Sequence, residues 1–186
     1  MEFLPEFGIG ILYGWIYFVV YLIVFGITMQ ICPEDVRKRL YDRSLWDKKT
    51  KIITAIGKSF SLLNILMILF GKIQLGNLLF LVGNGVFIIG LTMLVTAIIN
   101  YKNAPLNEPI TNGLYKYSRN PQMVALYILF TGMILIIGAW LNLIFLGISI
   151  LCSHFSILGE ENALEKQYGE SYKKYRKKVP RYFLFF

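Results

Sequence analysis

The chain of 186 residues is 56% hydrophobic and only 16% charged, and its mean hydropathy of +0.57 excludes an ordinary water-exposed globular fold. The formal charge of +8 is not interleaved with a recognition module for nucleic acid, so it reads as the positive bias of cytoplasmic membrane loops, with anionic lipid headgroups as the expected partner. The lone His154 and the scattered Cys32 and Cys152 form no ligand cluster, and no metal and no disulfide are expected.

Five stretches, 7–31, 52–70, 78–99, 123–139 and 141–158, are free of charge apart from Lys58. They predict an all-α integral membrane protein with about five transmembrane helices, because ~20 helical residues cross a hydrocarbon core of ~30 Å. The opening MEFLPEFG lacks the basic region and small-residue cleavage site of a signal peptide, so the first stretch is expected to remain as a span. Segment 32–51 places Pro33 ahead of Glu34 and Asp35, with Val36, Leu40 and Trp46 among its charges. It predicts a short interfacial helix, read as a solvated connector in preference to a lid. Lys58 is expected to snorkel to the interface. Gly83, Gly85 and Gly90 in the third stretch predict close helix packing, and Asn84 beside them needs a partner within the bundle.

Segment 100–121 has three prolines and no helical period, which predicts irregular backbone at the membrane surface. Its last residues, Asn120 and Pro121, suit the N-cap and first position of the next helix. Arg119 then sits against the positive end of a helix dipole, and the anion expected there is a cofactor carboxylate, a lipid phosphate or a glutamate. From Asn120 to Gly159 there are 40 residues without a formal charge, about 60 Å of helix, so the chain must fold back, and Ala139-Trp140-Leu141-Asn142 is the best turning point.

Beyond 158 the tail predicts cytoplasmic amphipathic helices. Leu164, Tyr168, Tyr172, Tyr175 and Val179 fall on one helical stripe, and Gly169 is expected to break the segment. The stripe does not account for Glu160 and Glu161. Two adjacent carboxylates leaving the hydrocarbon need donors, and neighbours ~100° apart on a helix allow one to reach a pocket while the other braces Arg119 or a lysine. Lys and Arg are concentrated in 32–51, 100–121 and the tail. This bias predicts a multi-pass protein with its N-terminus outside and its long loops and C-terminus in the cytoplasm, in a prokaryotic cytoplasmic membrane or, in a eukaryote, the endoplasmic reticulum.

Gly113, Tyr115, Arg119, Asn120 and Pro121, followed by an apolar hairpin, Glu160-Glu161, Tyr168-Gly169, Tyr172, Tyr175 and Val179-Pro180-Arg181, form an ordered pattern over about the last 90 residues. It resembles the isoprenylcysteine carboxyl methyltransferases and membrane phospholipid methyltransferases. The resemblance implies a methyltransferase core at 78–186 behind a variable membrane region at 1–77. It also implies S-adenosylmethionine bound in a cytoplasm-facing pocket and a methyl group passed to a lipophilic acceptor, a carboxylate, amine or thiol. By the same resemblance Tyr115, Asn120, Pro121, Glu160 and Glu161 surround the cofactor, Arg119 and Glu161 take part in the chemistry, and Tyr172 and Arg181 face the acceptor. The chain departs from the pattern in having Asn120 where many members have His, and Met123 where Tyr is usual. An ammonium acceptor would use Glu160 or Glu161 as its base, and Tyr101, Tyr115 or Tyr172 could face the sulfonium. His154 is read as a packing residue. The alternatives are an NADPH-dependent membrane reductase of the sterol-reductase type, whose Arg-Asp-Asp cluster differs from Gly159-Glu160-Glu161-Asn162, and a non-enzymatic membrane scaffold.

Overall fold

The computed structural model describes residues 2–105 and 107–183; the last three residues of the predicted core and position 106 of its loop lie outside them. The helices are α1 (Trp15–Gln30), α2 (Glu34–Tyr41), α3 (Lys48–Phe70), α4 (Leu78–Lys102), α5 (Pro121–Ile137), α6 (Trp140–Tyr168) and α7 (Glu170–Lys178), with a 3-10 turn at Gly113–Lys116. Among the described residues, α3, α4 and α6 are long and apolar enough to cross a membrane, and α1 and α5 are shorter apolar helices.

A helix that is apolar on every side is stable only when it is surrounded, and α5 takes that place. Ala125, Leu129, Ile134, Ile136 and Ile137 have no exposed surface. The most extensive helix pair is α4 with α5, brought together by glycines. A Cβ on Gly90 would meet the backbone of Leu129, and one on Gly132 the backbone of Phe87. With no hydrophobic drive between helices in lipid, such close backbone approach carries much of the association. Gly132→Ala is therefore expected to lower the thermal midpoint in detergent, at a cost of about 1–3 kcal/mol for overpacking. Gly85→Ala, whose Cβ would meet open space, is expected to be neutral in the same melt.

Asn84 finds its partners inside the bundle. It accepts from the Tyr17 hydroxyl at 2.8 Å and donates to the Phe80 carbonyl at 2.7 Å. Between α3 and α6 a polar seam does the same work: Asn142 donates to Asn64 Oδ1 at 2.7 Å, and the Thr54 and Ser156 hydroxyls pair at 2.8 Å.

Two boundaries differ from the sequence expectation. The stretch 7–31 becomes helical only at Trp15. Pro5, Gly8, Gly10 and Gly14 are poor helix formers, and their segment crosses the end of the bundle instead. There the amides of Gly8 and Gly14 donate to the carbonyls of Phe70 and Gly71 at 3.0 and 2.9 Å, while Glu6 pairs with Lys72. The second difference is that α6 does not stop near 158. Gly159 is seated against Thr50, and the helix continues to Tyr168, where Gly169, at φ +55, ends it. Glu160 and Glu161 therefore ride on a rigid continuation of a membrane helix. The hairpin falls at the predicted place, closed by Gly138 at φ +68.

Candidate functional site

The site begins with a turn that the sequence reads as a helix start. Pro121 opens α5, but the Asn120 side chain makes no capping bond. It turns away, and its amide donates to the Arg181 carbonyl at 3.4 Å. Ser118 bridges the turn: its hydroxyl donates to the same carbonyl at 3.0 Å and accepts from the Asn120 backbone N–H at 3.1 Å. The Arg119 amide donates to the Pro180 carbonyl at 2.9 Å. The tail at 179–181 is thus laid against the start of α5.

The side chains complete the join. Arg119 Nε and Nη2 reach Glu161 Oε1 at 3.0 and 2.9 Å, and Nη1 donates to the carbonyls of Arg176 and Val179 at 2.7 and 3.1 Å. Arg181 takes the other flank of the same carboxylate, with Nε to Oε1 at 3.0 Å and Nη2 to Oε2 at 2.9 Å. The anion beside Arg119 is therefore a glutamate. Side-chain exposure is 4% for Arg119 and 3% for Glu161, so two guanidinium forks offset the desolvation of one carboxylate. The sequence resemblance placed Arg119 and Glu161 in the chemistry; in the structure their polar atoms are engaged with each other, with Arg181 and with backbone carbonyls.

Glu160 is disposed differently. It lines a cavity of about 460 Å³, within the ~300–1,000 Å³ typical of small-molecule sites. Among the described residues it forms no hydrogen bond or ion pair. Around it stand Tyr101 of α4, Tyr115 of the 3-10 turn, Asn120 at the head of α5, and Tyr172 and Tyr175 of α7. Burial pushes the hydroxyls of Tyr115, Tyr172 and Tyr175 well above the usual phenol range. They remain neutral at physiological pH and offer ring faces, with hydroxyl donors from Tyr115 and Tyr172, not bases. The Tyr175 hydroxyl donates to the Tyr115 carbonyl at 2.8 Å, tying the tail to the 3-10 turn. Tyr175→Phe is expected to lower stability by about 1 kcal/mol, read as a small fall in thermal midpoint.

Deeper in the bundle the same cavity passes between Leu94, Ile98, Met123, Leu126 and the Thr54, Lys58 and Ser61 face of α3. Of the residues named from sequence, Tyr115, Arg119, Asn120, Glu160, Glu161 and Tyr172 meet at this cavity, whereas Pro121 and Arg181 are not among its described lining residues. Pro121 is buried at the helix start, and Arg181 is drawn behind the wall by Glu161. His154 also lies away from the lining, with Nδ1 3.2 Å from the Tyr182 hydroxyl. The segment expected to be a connector is part of the wall, because residues 39–46 line the cavity. Its signal was Val36 and Leu40, four apart on a short helix, one buried and one half-buried in the core.

A family model for phospholipid methyltransferases matches residues 71–171. The chain belongs to the phospholipid methyltransferase family. It is also 36% identical over 73 residues to the Protein-S-isoprenylcysteine O-methyltransferase of Schizosaccharomyces pombe (strain 972 / ATCC 24843). That similarity covers 38% of this chain and 30% of the relative's length. The family region runs from the end of α3 into α7, so it holds Arg119, Glu160 and Glu161. The wall from 39–46 and the residues Tyr172, Tyr175 and Arg181 come from outside it.

Proposed function

We propose that this family member is an S-adenosylmethionine-dependent integral membrane methyltransferase that acts on a lipophilic acceptor at the cytoplasmic face. The observation that carries the reading is Glu160, a carboxylate with no hydrogen bond or ion pair among the described residues and the opposite charge of Arg43 acting on it only from a distance, set in an aromatic-walled cavity of a chain from a methyltransferase family. A lone carboxylate in such a place is stabilised by a cationic, donor-rich ligand. The methyl donor fits this donor set: its ammonium and ribose hydroxyls are donors, and its sulfonium is attracted to aromatic faces.

Bound there, the cofactor supplies an electrophilic methyl group to a nucleophilic acceptor atom. The chain supplies position. Glu160 accepts hydrogen bonds from the cofactor, and Tyr101, Tyr115 and Tyr172 wall it against water. Asn120 borders it, and Pro121 acts only by fixing the helix start. Arg119 and Glu161 hold this wall together with Arg181, whose role becomes structural instead of acceptor binding. The apolar depth at Leu94, Ile98, Met123 and Leu126 suits an acceptor tail entering from the bilayer, with its reactive carboxylate, amine or thiol directed to the polar end. A carboxylate needs no base, while an ammonium would lose its proton to Glu160. Alignment of two held reactants is worth several kcal/mol of barrier, so an in-line displacement needs no covalent help from the protein. The methyl-transfer core is assigned to 78–186, completed by a wall from the N-terminal region. The excess of Lys and Arg at this end of the bundle supports a cytoplasmic placement.

The test is incubation of the purified protein in lipid nanodiscs with methyl-labelled S-adenosylmethionine and a lipid extract of the host membrane. Label is expected in the organic phase and strongly reduced with Glu160→Gln at subsaturating cofactor. Label that stays in the aqueous phase with every acceptor class, together with NADPH oxidation by the same preparation, would overturn the reading in favour of a reductase.

A further inference from the structure

The wall at 39–46 precedes the family region, and one side chain secures it. Arg39 of α2 donates from Nη1 to the Pro105 carbonyl and from Nη2 to the Glu108 carbonyl, each at 2.7 Å. Its guanidinium also lies over the ring of Tyr101, 5.4 Å from the centroid, and over that of Tyr168, 5.8 Å away. A single half-buried arginine thus joins α2 to the end of α4, to the loop that follows it and to the last residue of α6. The remaining anchorage of α2 is slight: Val36 is buried and Leu40 packs against the core, whereas Lys38 pairs in solvent with Glu34. Arg39, Tyr101 and Tyr168 all line the cavity.

We propose that Arg39 is a positioning residue for methyl transfer, a clasp that holds the 39–46 wall against the carbonyls of Pro105 and Glu108 and retains the methyl donor in the cavity. The proposal rests on reading the cavity as the donor site. The guanidinium is suited to the task because its planar fork reaches two carbonyls while both of its faces remain free for aromatic rings. A lysine keeps the charge and one carbonyl, and loses the fork. Exchange of the cofactor then requires the clasp to open, which leaves Val36 and Leu40 as the core contacts of α2 among the described residues.

The experiment measures dissociation of labelled S-adenosylmethionine from protein in nanodiscs for wild type, Arg39→Ala, Arg39→Lys and the solvent-side control Lys38→Ala. Dissociation is expected to quicken about tenfold or more for Arg39→Ala, to be intermediate for Arg39→Lys and to be unchanged for Lys38→Ala. In parallel, trypsin cleavage of the wild-type chain after the exposed Arg43 is expected to slow when S-adenosylhomocysteine is bound. This arm needs no variant to fold. Wild-type dissociation in Arg39→Ala, or trypsin cleavage indifferent to bound S-adenosylhomocysteine, would overturn the clasp while leaving the donor site standing. Failure of folded wild type to bind either compound would overturn both.

Discussion

Arg119→Ala is expected to loosen the tail from the bundle and abolish cofactor binding, at a cost of about 3–5 kcal/mol in stability. The size follows from what the variant leaves behind. Glu161 would keep Arg181 on one flank but lose the guanidinium that meets Oε1 from the other, inside a site with 3% side-chain exposure where water cannot substitute. The carbonyls of Arg176 and Val179 would lose a donor at the same time. Those carbonyls end α7, which carries Tyr172 and Tyr175 into the cavity wall. Thermal unfolding in detergent reads the first effect, and titration with S-adenosylhomocysteine reads the second. Arg119→Lys is expected to fall between, because a point charge satisfies the carboxylate without forking to two carbonyls. A melt for Arg119→Ala indistinguishable from wild type would show that the arginine-glutamate knot does not hold the site.

Glu160→Gln is expected to have the opposite profile: unchanged or slightly raised stability, with cofactor affinity lowered about 10- to 100-fold. A charge-assisted hydrogen bond is worth ~1.5–3 kcal/mol and each ~1.4 kcal/mol is tenfold in affinity. This carboxylate makes no hydrogen bond or ion pair among the described residues, and the opposite charge of Arg43 acts on it only from a distance, so removing its charge relieves desolvation without breaking a direct contact. The contrast between the two adjacent glutamates separates holding the site from binding at it. Titration calorimetry beside a thermal melt measures both quantities on one preparation, and equal affinity for Glu160→Gln and wild type would remove Glu160 from the binding site.

The membrane class and the helical hairpin were legible because they rest on bulk properties, apolar length and an uncharged run twice the bilayer in extent. The divergent placement of Glu160 at the cavity and Glu161 on Arg119 was legible as well, since adjacent helical positions face ~100° apart. What escaped was whatever long-range packing decides. Gly8, Gly10 and Gly14 delay the helix of the first apolar stretch to Trp15, but as uncharged residues they count towards its apolar length. The Asn120 side chain has ideal capping chemistry locally and is diverted by the Arg181 carbonyl, 61 residues away. Arg39 looked like one of seven basic residues in its loop, and only the folded chain brings the carbonyls of Pro105 and Glu108 to it. Arg181 is the converse case: its motif position suggested the acceptor, and in the folded chain Glu161 holds the Nε and Nη2 edge of its guanidinium.

The most direct test of the central claim, that the cavity beside Glu160 holds the methyl donor, is calorimetric titration of wild-type protein in nanodiscs with S-adenosylhomocysteine. Saturable binding at one site per chain, weakened by Glu160→Gln with no loss of thermal midpoint, is the predicted result. Folded wild-type protein that shows no heat of binding with S-adenosylhomocysteine across the millimolar range would contradict it.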